Sequence, residues 1–252
     1  MTRNLHKQLT ELLKELHLPM FREYHAEYAI KAMKEGLSYE QYLHELAQIE
    51  CDVRRANKIV RLVKASRLPM EKTLENFNLK RLPLRLRQQV KLLQDGSFVD
   101  RCENLLAFGN PGSGKTHLLC AICHELARQG RRVYFSACDL IVQQLLRAKR
   151  ELELDKLLKK LSRFDALMID DFGYVKQDRD EMEVLFTLLA HRYERDSMLI
   201  TSNLPFSKWE VIFKDPMTTA AAIDRLVHHS VVLELNVPSY RAEQARKRKK
   251  TG

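Results

Sequence analysis

Apolar residues recur at helical spacing from the start of the chain: Leu5, Leu9, Leu12, Leu13 and Leu16 mark one face of a predicted first helix. Pro19 ends that run, because a ring in place of the amide hydrogen cannot continue a helix. A second helix is predicted over residues 20–35, stopping at Gly36. Ser38 followed by Gln41 has the capping-box spacing, in which side chains satisfy the orphan amides of a helix start. No Gly or Pro then interrupts the chain until about Arg67. This third helix carries a seven-residue pattern, with Leu46, Val53 and Val60 on one position, Ile49, Ala56 and Val63 on another, and Tyr39 and Tyr42 extending it backward. Such a seam packs against another helix, within the chain or on a second copy. Arg54, Arg55, Lys58 and Arg61 fall off the seam, as either a solvated face or a phosphate-contacting one.

Residues 68–102, with Pro69, Pro83 and scattered basic residues, read as a connector. Beyond them the pattern changes to short apolar runs at Leu105–Phe108, Val133–Phe135, Ala166–Ile169, Met198–Thr201 and Val231–Leu235. Helical stretches separate most of these strand candidates, which predicts an α/β domain with a parallel sheet flanked by helices. The expected organisation is a small all-helical N-terminal domain (1–67), a connector (68–102), an α/β domain (103–238) and a basic tail (239–252).

Composition narrows the class. The chain has 252 residues, 45% of them hydrophobic and 30% charged, enough apolar material for a sizeable core. Lys and Arg number 43 against 33 acidic residues, for a net charge of +10. The excess is uneven: residues 1–67 carry +3, residues 69–238 carry +2, and the last fourteen carry +5. A basic chain with a basic tail, Arg246–Lys250, suits a polyanion, with nucleic acid ahead of an anionic membrane. The first twenty residues are charged throughout and hold no signal-peptide core, and no apolar run approaches the roughly 18 residues of a membrane span. Five cysteines in a chain of this size point to reduced thiols and a cytoplasmic setting.

The strongest chemical signal is Gly109, Asn110, Pro111, Gly112, Ser113, Gly114, Lys115 and Thr116, which fits G-x-x-x-x-G-K-[ST] between a predicted strand and a predicted helix. In such a loop backbone amides curl round phosphate oxygens and the helix N-terminus adds partial positive charge. Lys115 is expected to reach the β- and γ-phosphates and the Thr116 hydroxyl to hold Mg²⁺; the nucleotide-binding set runs on to His117. ATP and Mg²⁺ are the implied ligands. About fifty residues on, the strand Ala166–Ile169 ends in two carboxylates. It is expected to lie beside the P-loop strand, with Asp170 near the Mg²⁺ and Asp171 polarising the attacking water. A third strand ends in Thr201-Ser202-Asn203, a polar tip suited to the γ-phosphate or the water. Cys120-x-x-Cys123 with His117 and His124 lies on one helix, which cannot wrap a tetrahedral metal, so zinc is set aside.

This order of motifs, completed by Ala222-Ile223-Asp224-Arg225-Leu226 and Pro238-Ser239-Tyr240-Arg241, resembles an AAA+ ATPase. More narrowly it is similar to the IstB-like transposition helper ATPases, relatives of the DnaC-type helicase loaders. The resemblance covers nearly the whole chain. It implies that Asn203 is the sensor 1 residue, that Arg225 is an arginine finger acting in trans, and that Arg241 is the sensor 2 arginine acting in cis. Asp171 stands where the broader group has Glu. Two helices are expected over Asp139–Arg163, the place where initiator and loader relatives carry a DNA-facing insertion; Lys149, Arg150, Lys159 and Lys160 lie there. The implied function is a DNA-binding ATPase that hydrolyses ATP at subunit interfaces. It would form a ring, spiral or filament on duplex DNA with little sequence preference and assist a partner transposase. The alternative is a loader acting on a replicative helicase and single-stranded DNA.

Overall fold

The computed structural model describes residues 2–173, 179–213, 215–240 and Glu243. The chain forms two compact units, residues 1–61 and 62–252.

Three helices make up the first unit: α1 (Thr2–Glu15), α2 (Pro19–Glu35) and α3 (Tyr39–Ser66), the last running through the unit boundary. Pro19 opens α2 at the first-turn position, where no amide hydrogen is needed. Gly36 ends it in the left-handed conformation, its N–H and that of Leu37 both donating to the Ala32 carbonyl. The capping box forms as the spacing predicts: Ser38 N donates to Gln41 Oε1 at 2.8 Å and Gln41 N to Ser38 Oγ at 3.2 Å. Leu13 and Leu46 are buried within the unit, and so is the carboxylate of Glu50. Burial pushes that carboxyl up, but Arg54 Nε at 2.6 Å and the Met20 amide at 2.9 Å outweigh it and hold it below the usual range. Of the heptad seam, Leu46 is buried and Ile49 and Val53 are half-buried, whereas Ala56 and Val60 are exposed. Length explains the change: 28 residues of helix reach about 42 Å, against roughly 21 and 26 Å for the two helices within this unit.

The second unit holds a five-stranded, all-parallel sheet: β1 (Asn104–Phe108), β2 (Val133–Ala137), β3 (Ala166–Asp170), β4 (Ser197–Ser202) and β5 (Ser230–Glu234). The strand order is β2-β3-β4-β1-β5. This corrects one expectation. β3 does not adjoin the P-loop strand, because β4 lies between them. Side chains alternate cleanly between two cores. Leu106, Leu167, Ile169, Met198 and Ile200 face one, with α7 (Cys138–Arg150), α8 (Leu154–Leu161), α9 (Arg179–Arg192), α10 (Glu210–Phe213) and α11 (Pro216–Val227). Leu105, Ala107, Met168 and Leu199 face the other, with α6 (Lys115–Arg128).

The connector reading is also revised. Residues 84–93 form α4 and residues 97–100 form α5, and Leu82, Leu86, Val90, Leu93, Phe98 and Val99 are buried in the α6-side core. Leu82, Leu86, Val90 and Leu93 repeat at helical spacing beneath the basic residues, so the segment packs into the α6-side core and is not a tether.

On the opposite face, α7 and α8 form the expected helix pair. Its base is fixed by Arg192, a guanidinium with 1% exposure. It donates to the carbonyls of Leu161 and Phe164 (both 3.1 Å) and Ser197 (3.0 Å), and burial lowers its pKa to about 10, so it stays charged at neutral pH. Arg192→Met removes the charged donor from these three acceptors and should destabilise this unit by about 3 kcal/mol. Urea unfolding followed by circular dichroism measures the change.

Candidate nucleotide-binding site

The C-terminal edge of the parallel sheet, where α/β proteins bind ligands, opens into a cleft of about 460 Å³. Its floor is the loop joining β1 to α6. Gly109 has φ 149°, and a Cβ there would stand 2.5 Å from the Leu235 carbonyl oxygen, so only glycine fits against β5. Gly114 has φ 100°, and a Cβ there would press on Phe77 at 3.0 Å. Lys115 begins α6 and is buried, its Nζ donating to Gly109 O at 2.8 Å, Asn110 O at 3.0 Å and Asn203 Oδ1 at 2.5 Å. The lysine therefore ties the phosphate loop to the tip of β4.

Two further strand ends complete the site. Asp170, the last residue of β3, lines the cleft, and its Oδ1 accepts a 2.6 Å bond from Thr201 Oγ1. Asp171 follows in a left-handed conformation with φ 55° and also lines the cleft, its N–H donating to the same Thr201 oxygen at 2.9 Å. Thr116 shares this wall. A hydroxyl and a carboxylate are hard oxygen donors, which suits a small divalent cation such as Mg²⁺ held between them and phosphate oxygens.

The remaining walls come from segments whose chemistry the sequence reading did not assign. Lys72, Asn76, Phe77, Asn78, Arg81 and Leu82 line one side, and Val237 and Tyr240 another. Phe77 meets the His117 ring edge to face at 5.2 Å between centroids, while His117 Nε2 donates to Thr73 O at 3.0 Å. His124, two turns along α6, does the same to Pro69 O at 3.0 Å. The two histidines therefore fasten residues 69–77 along the helix. Arg81 donates to Pro238 O at 2.9 Å, pairs with Glu243 at 3.0 Å and stacks over Tyr240 at 5.1 Å. Tyr240 falls in the Pro238–Arg241 motif already noted in the sequence; for residues 72–82 the signal available is a single aromatic, Phe77.

Not every expected residue joins the cleft. Lys115, Thr116, Asp170, Asp171 and Asn203 converge; Arg225 lies elsewhere, its guanidinium 4.6 Å over the Phe186 ring and bonded to Ala221 O at 3.1 Å. Arg241 and the tail Arg246–Lys250 lie outside the described residues. Among the basic residues offered for DNA, two are committed to local partners. Arg54 pairs with Glu50 and donates to the His17 carbonyl; Lys149 pairs with Asp180 at 3.2 Å and Glu183 at 2.9 Å. Arg55 makes a 3.4 Å contact with Asp52, and Arg61 donates to Asn57 O. Lys58, Arg150, Lys159 and Lys160 are exposed.

Comparison with known proteins decides the family. The IstB-like ATP binding protein family matches residues 11–248. The chain belongs to that family. A relative from Sinorhizobium fredii, named for an insertion sequence and for ATP binding, is 39% identical to this IstB-like chain over 98% of its length and 85% of the relative's. The corresponding IS21 protein of Pseudomonas aeruginosa is 37% identical over 95% and 89%. Among solved structures, the DnaC helicase loader superposes with a TM-score of 0.54 at 18% identity, covering 66% of this chain and 97% of that one. DnaA from Aquifex aeolicus with AMPPCP gives 0.56 at 20%, covering 74% and 57%. These likenesses establish an AAA+ P-loop fold for this IstB-like protein.

Two outcomes follow from the site. Lys115→Ala should weaken ATP binding by roughly 10–100-fold, the worth of a charge-assisted bond to phosphate; titration with a fluorescent ATP analogue reads it. Burial pushes the thiols of Cys120 and Cys138 up to about 12 and raises that of Cys123 as well. At pH 8 iodoacetamide should therefore label exposed Cys51 in the folded protein and spare those three until denaturant is added, as peptide mass mapping would show.

Proposed function

We propose that this IstB-like protein hydrolyses ATP between neighbouring copies of itself, assembles on duplex DNA, and assists the transposase of its insertion sequence. The observation that carries the reading is the convergence of Lys115, Thr116, Asp170, Asp171 and Asn203 on one cleft while Arg225 sits on a helix outside it. In hydrolysis, water attacks the γ-phosphorus, the bond to the β–γ bridging oxygen breaks, and ADP leaves with the electron pair. Asp171 accepts the water proton and passes it to the phosphate product. Asn203 orients the water or the γ-phosphate, and Lys115 meets the charge on the β- and γ-oxygens. Mg²⁺, held by Thr116 and Asp170, supplies charge neutralisation on those oxygens when bound.

In this reading Arg225 of an adjacent copy supplies positive charge to the transition state, as Arg241 does within the chain. Such a finger is worth about 10³–10⁵ in rate, so ATP favours assembly and its hydrolysis releases it. Exposed Lys58, Arg61, Arg150, Lys159 and Lys160 and the +5 tail are the cations available for the DNA backbone. Contacts to phosphate give steep salt dependence and little sequence preference. The names of the insertion-sequence relatives support the transposase partnership.

The test follows ATP turnover and particle size by light scattering, with duplex and single-stranded DNA in parallel. Growth on duplex with ATP, weaker on single strands and lost in Arg225→Ala, is the expected result. A small particle that prefers single strands would overturn it in favour of a helicase loader. In the same assay, raising salt from 50 to 200 mM should cut duplex affinity by about 10³-fold if six or more phosphates are contacted.

A further inference from the structure

The side chain that joins both acidic residues of the cleft belongs to the polar tip of β4. Thr201, with 0% exposure at the end of β4, places a single hydroxyl between Asp170 and Asp171. Its proton is donated to Asp170 Oδ1 at 2.6 Å, and its lone pair accepts the Asp171 amide at 2.9 Å. A hydroxyl offers one donor and two acceptor sites, so both bonds are made at once. The first leaves Asp170 with its second carboxylate oxygen for a cation and fixes which oxygen that is. The second holds the one backbone turn of the site that is unusual for a residue with a side chain, the left-handed Asp171 at φ 55°. Among the described residues the neighbouring Ser202 makes no such link to a carboxylate: its Oγ donates to the Phe172 carbonyl at 2.7 Å and accepts from Leu204 N at 3.1 Å. The Phe172 amide in turn donates to the Thr201 carbonyl at 2.8 Å, so the β3 tip is registered on the β4 tip from both the main chain and the side chain.

We propose that Thr201 is the positioning residue of the nucleotide site: its hydroxyl aims the Asp170 carboxylate at the Mg²⁺ of bound ATP and holds Asp171 in the backbone conformation that presents its carboxylate to the attacking water. The proposal rests on the reading of Asp170 as cation ligand and Asp171 as base. It assigns Thr201 no contact with ATP. Its effect runs through the two aspartates, in the way hydrogen bonds behind a metal ligand set that ligand's direction. The shape of the residue matters less than its hydroxyl, which separates this role from core packing.

The experiment compares Thr201→Val, which keeps the shape and removes the hydroxyl, with Thr201→Ser, which keeps the hydroxyl and removes the methyl. Melting temperature confirms the fold of each, ATP affinity is measured with and without Mg²⁺, and kcat and KM are measured separately. For Thr201→Val, affinity without Mg²⁺ should stay near the parent's. The gain in affinity that Mg²⁺ brings, and kcat, should each fall by roughly 10–100-fold. Thr201→Ser should restore both to within about threefold, and adding Thr201→Val to Asp170→Asn should lower Mg²⁺-dependent affinity little further. Parent-like Mg²⁺ dependence and kcat in a folded Thr201→Val protein would overturn the proposal. So would a Thr201→Ser protein that loses as much as Thr201→Val. Should Thr201→Val fail to fold, the decision passes to Thr201→Ser and Thr201→Ala, where hydroxyl-dependent Mg²⁺ affinity supports the role and equal losses reject it. A parent protein without ATP turnover would count against hydrolysis alone, since the Mg²⁺-dependent affinity still reads Thr201.

Discussion

Insertion of β4 between β1 and β3 brings Phe108 opposite Ser202 and Ile169 opposite Ile200, so three strands separated by long stretches of chain end together on one edge. Parallel pairing makes this edge chemically one-sided, because every strand leaves the sheet in the same direction. The P-loop follows β1, the two aspartates end β3, and Asn203 follows β4. Lys115 crosses from the first to the third through Asn203, and Thr201 crosses from the third to the second through Asp170 and Asp171. A slip of one residue in the β3–β4 register would turn Thr201 away from both carboxylates. The cleft's chemistry therefore depends on the ladder more than on any one of its side chains.

Behind that edge the packing is asymmetric. On one face a cluster of aromatic rings, Phe108, Phe172, Phe206, Trp209 and Phe213, lies immediately beneath the aspartates and the β4 tip. Trp209 satisfies its indole N–H on Leu204 O, so the turn after Asn203 is held by the same ring that packs on Phe172. α10 and α11 continue from this turn, and α11 carries Arg225. Contiguous packing thus joins the β4 tip to the helix of the proposed finger. On the other face His117 and His124 bind residues 69–77 along α6, and Arg81 gathers residues 238–243, so the cleft is walled by chain from both sides of the P-loop in sequence.

The fixed cations divide by function according to their surroundings. Arg192 is fully enclosed, its two terminal nitrogens donate to three carbonyls and Asp196 stands 3.7 Å away, which makes it a structural staple. Arg54 and Lys149 have their charge matched by carboxylates nearby, Arg54 by the buried Glu50 and Lys149 by the exposed Asp180 and Glu183. The exposed lysines of α8 lie on the polar side of a helix whose Leu158 and Leu161 are buried. Net charge alone does not distinguish these cases, since each arginine or lysine adds the same unit to the total.

Sequence by itself determined the parts whose information is local. The P-loop spacing, the Asp170-Asp171 pair, the Ser38–Gln41 capping box and the division of Asp139–Arg163 into two helices are all encoded within a few residues, where backbone geometry and side-chain reach set the outcome. Tertiary structure decided what depends on non-local pairing. Periodicity reports that a strand exists but not its neighbours, so the placement of β4 beside the P-loop strand, and with it the bridging role of Thr201, was not legible. The segment 68–102 was misread because its buried residues are interleaved with Arg and Lys, and only the face they meet makes them core. The walls of the cleft were hidden for the same reason: Phe77 and Arg81 gain meaning from contacts with Gly114, His117 and Tyr240 that folding alone supplies.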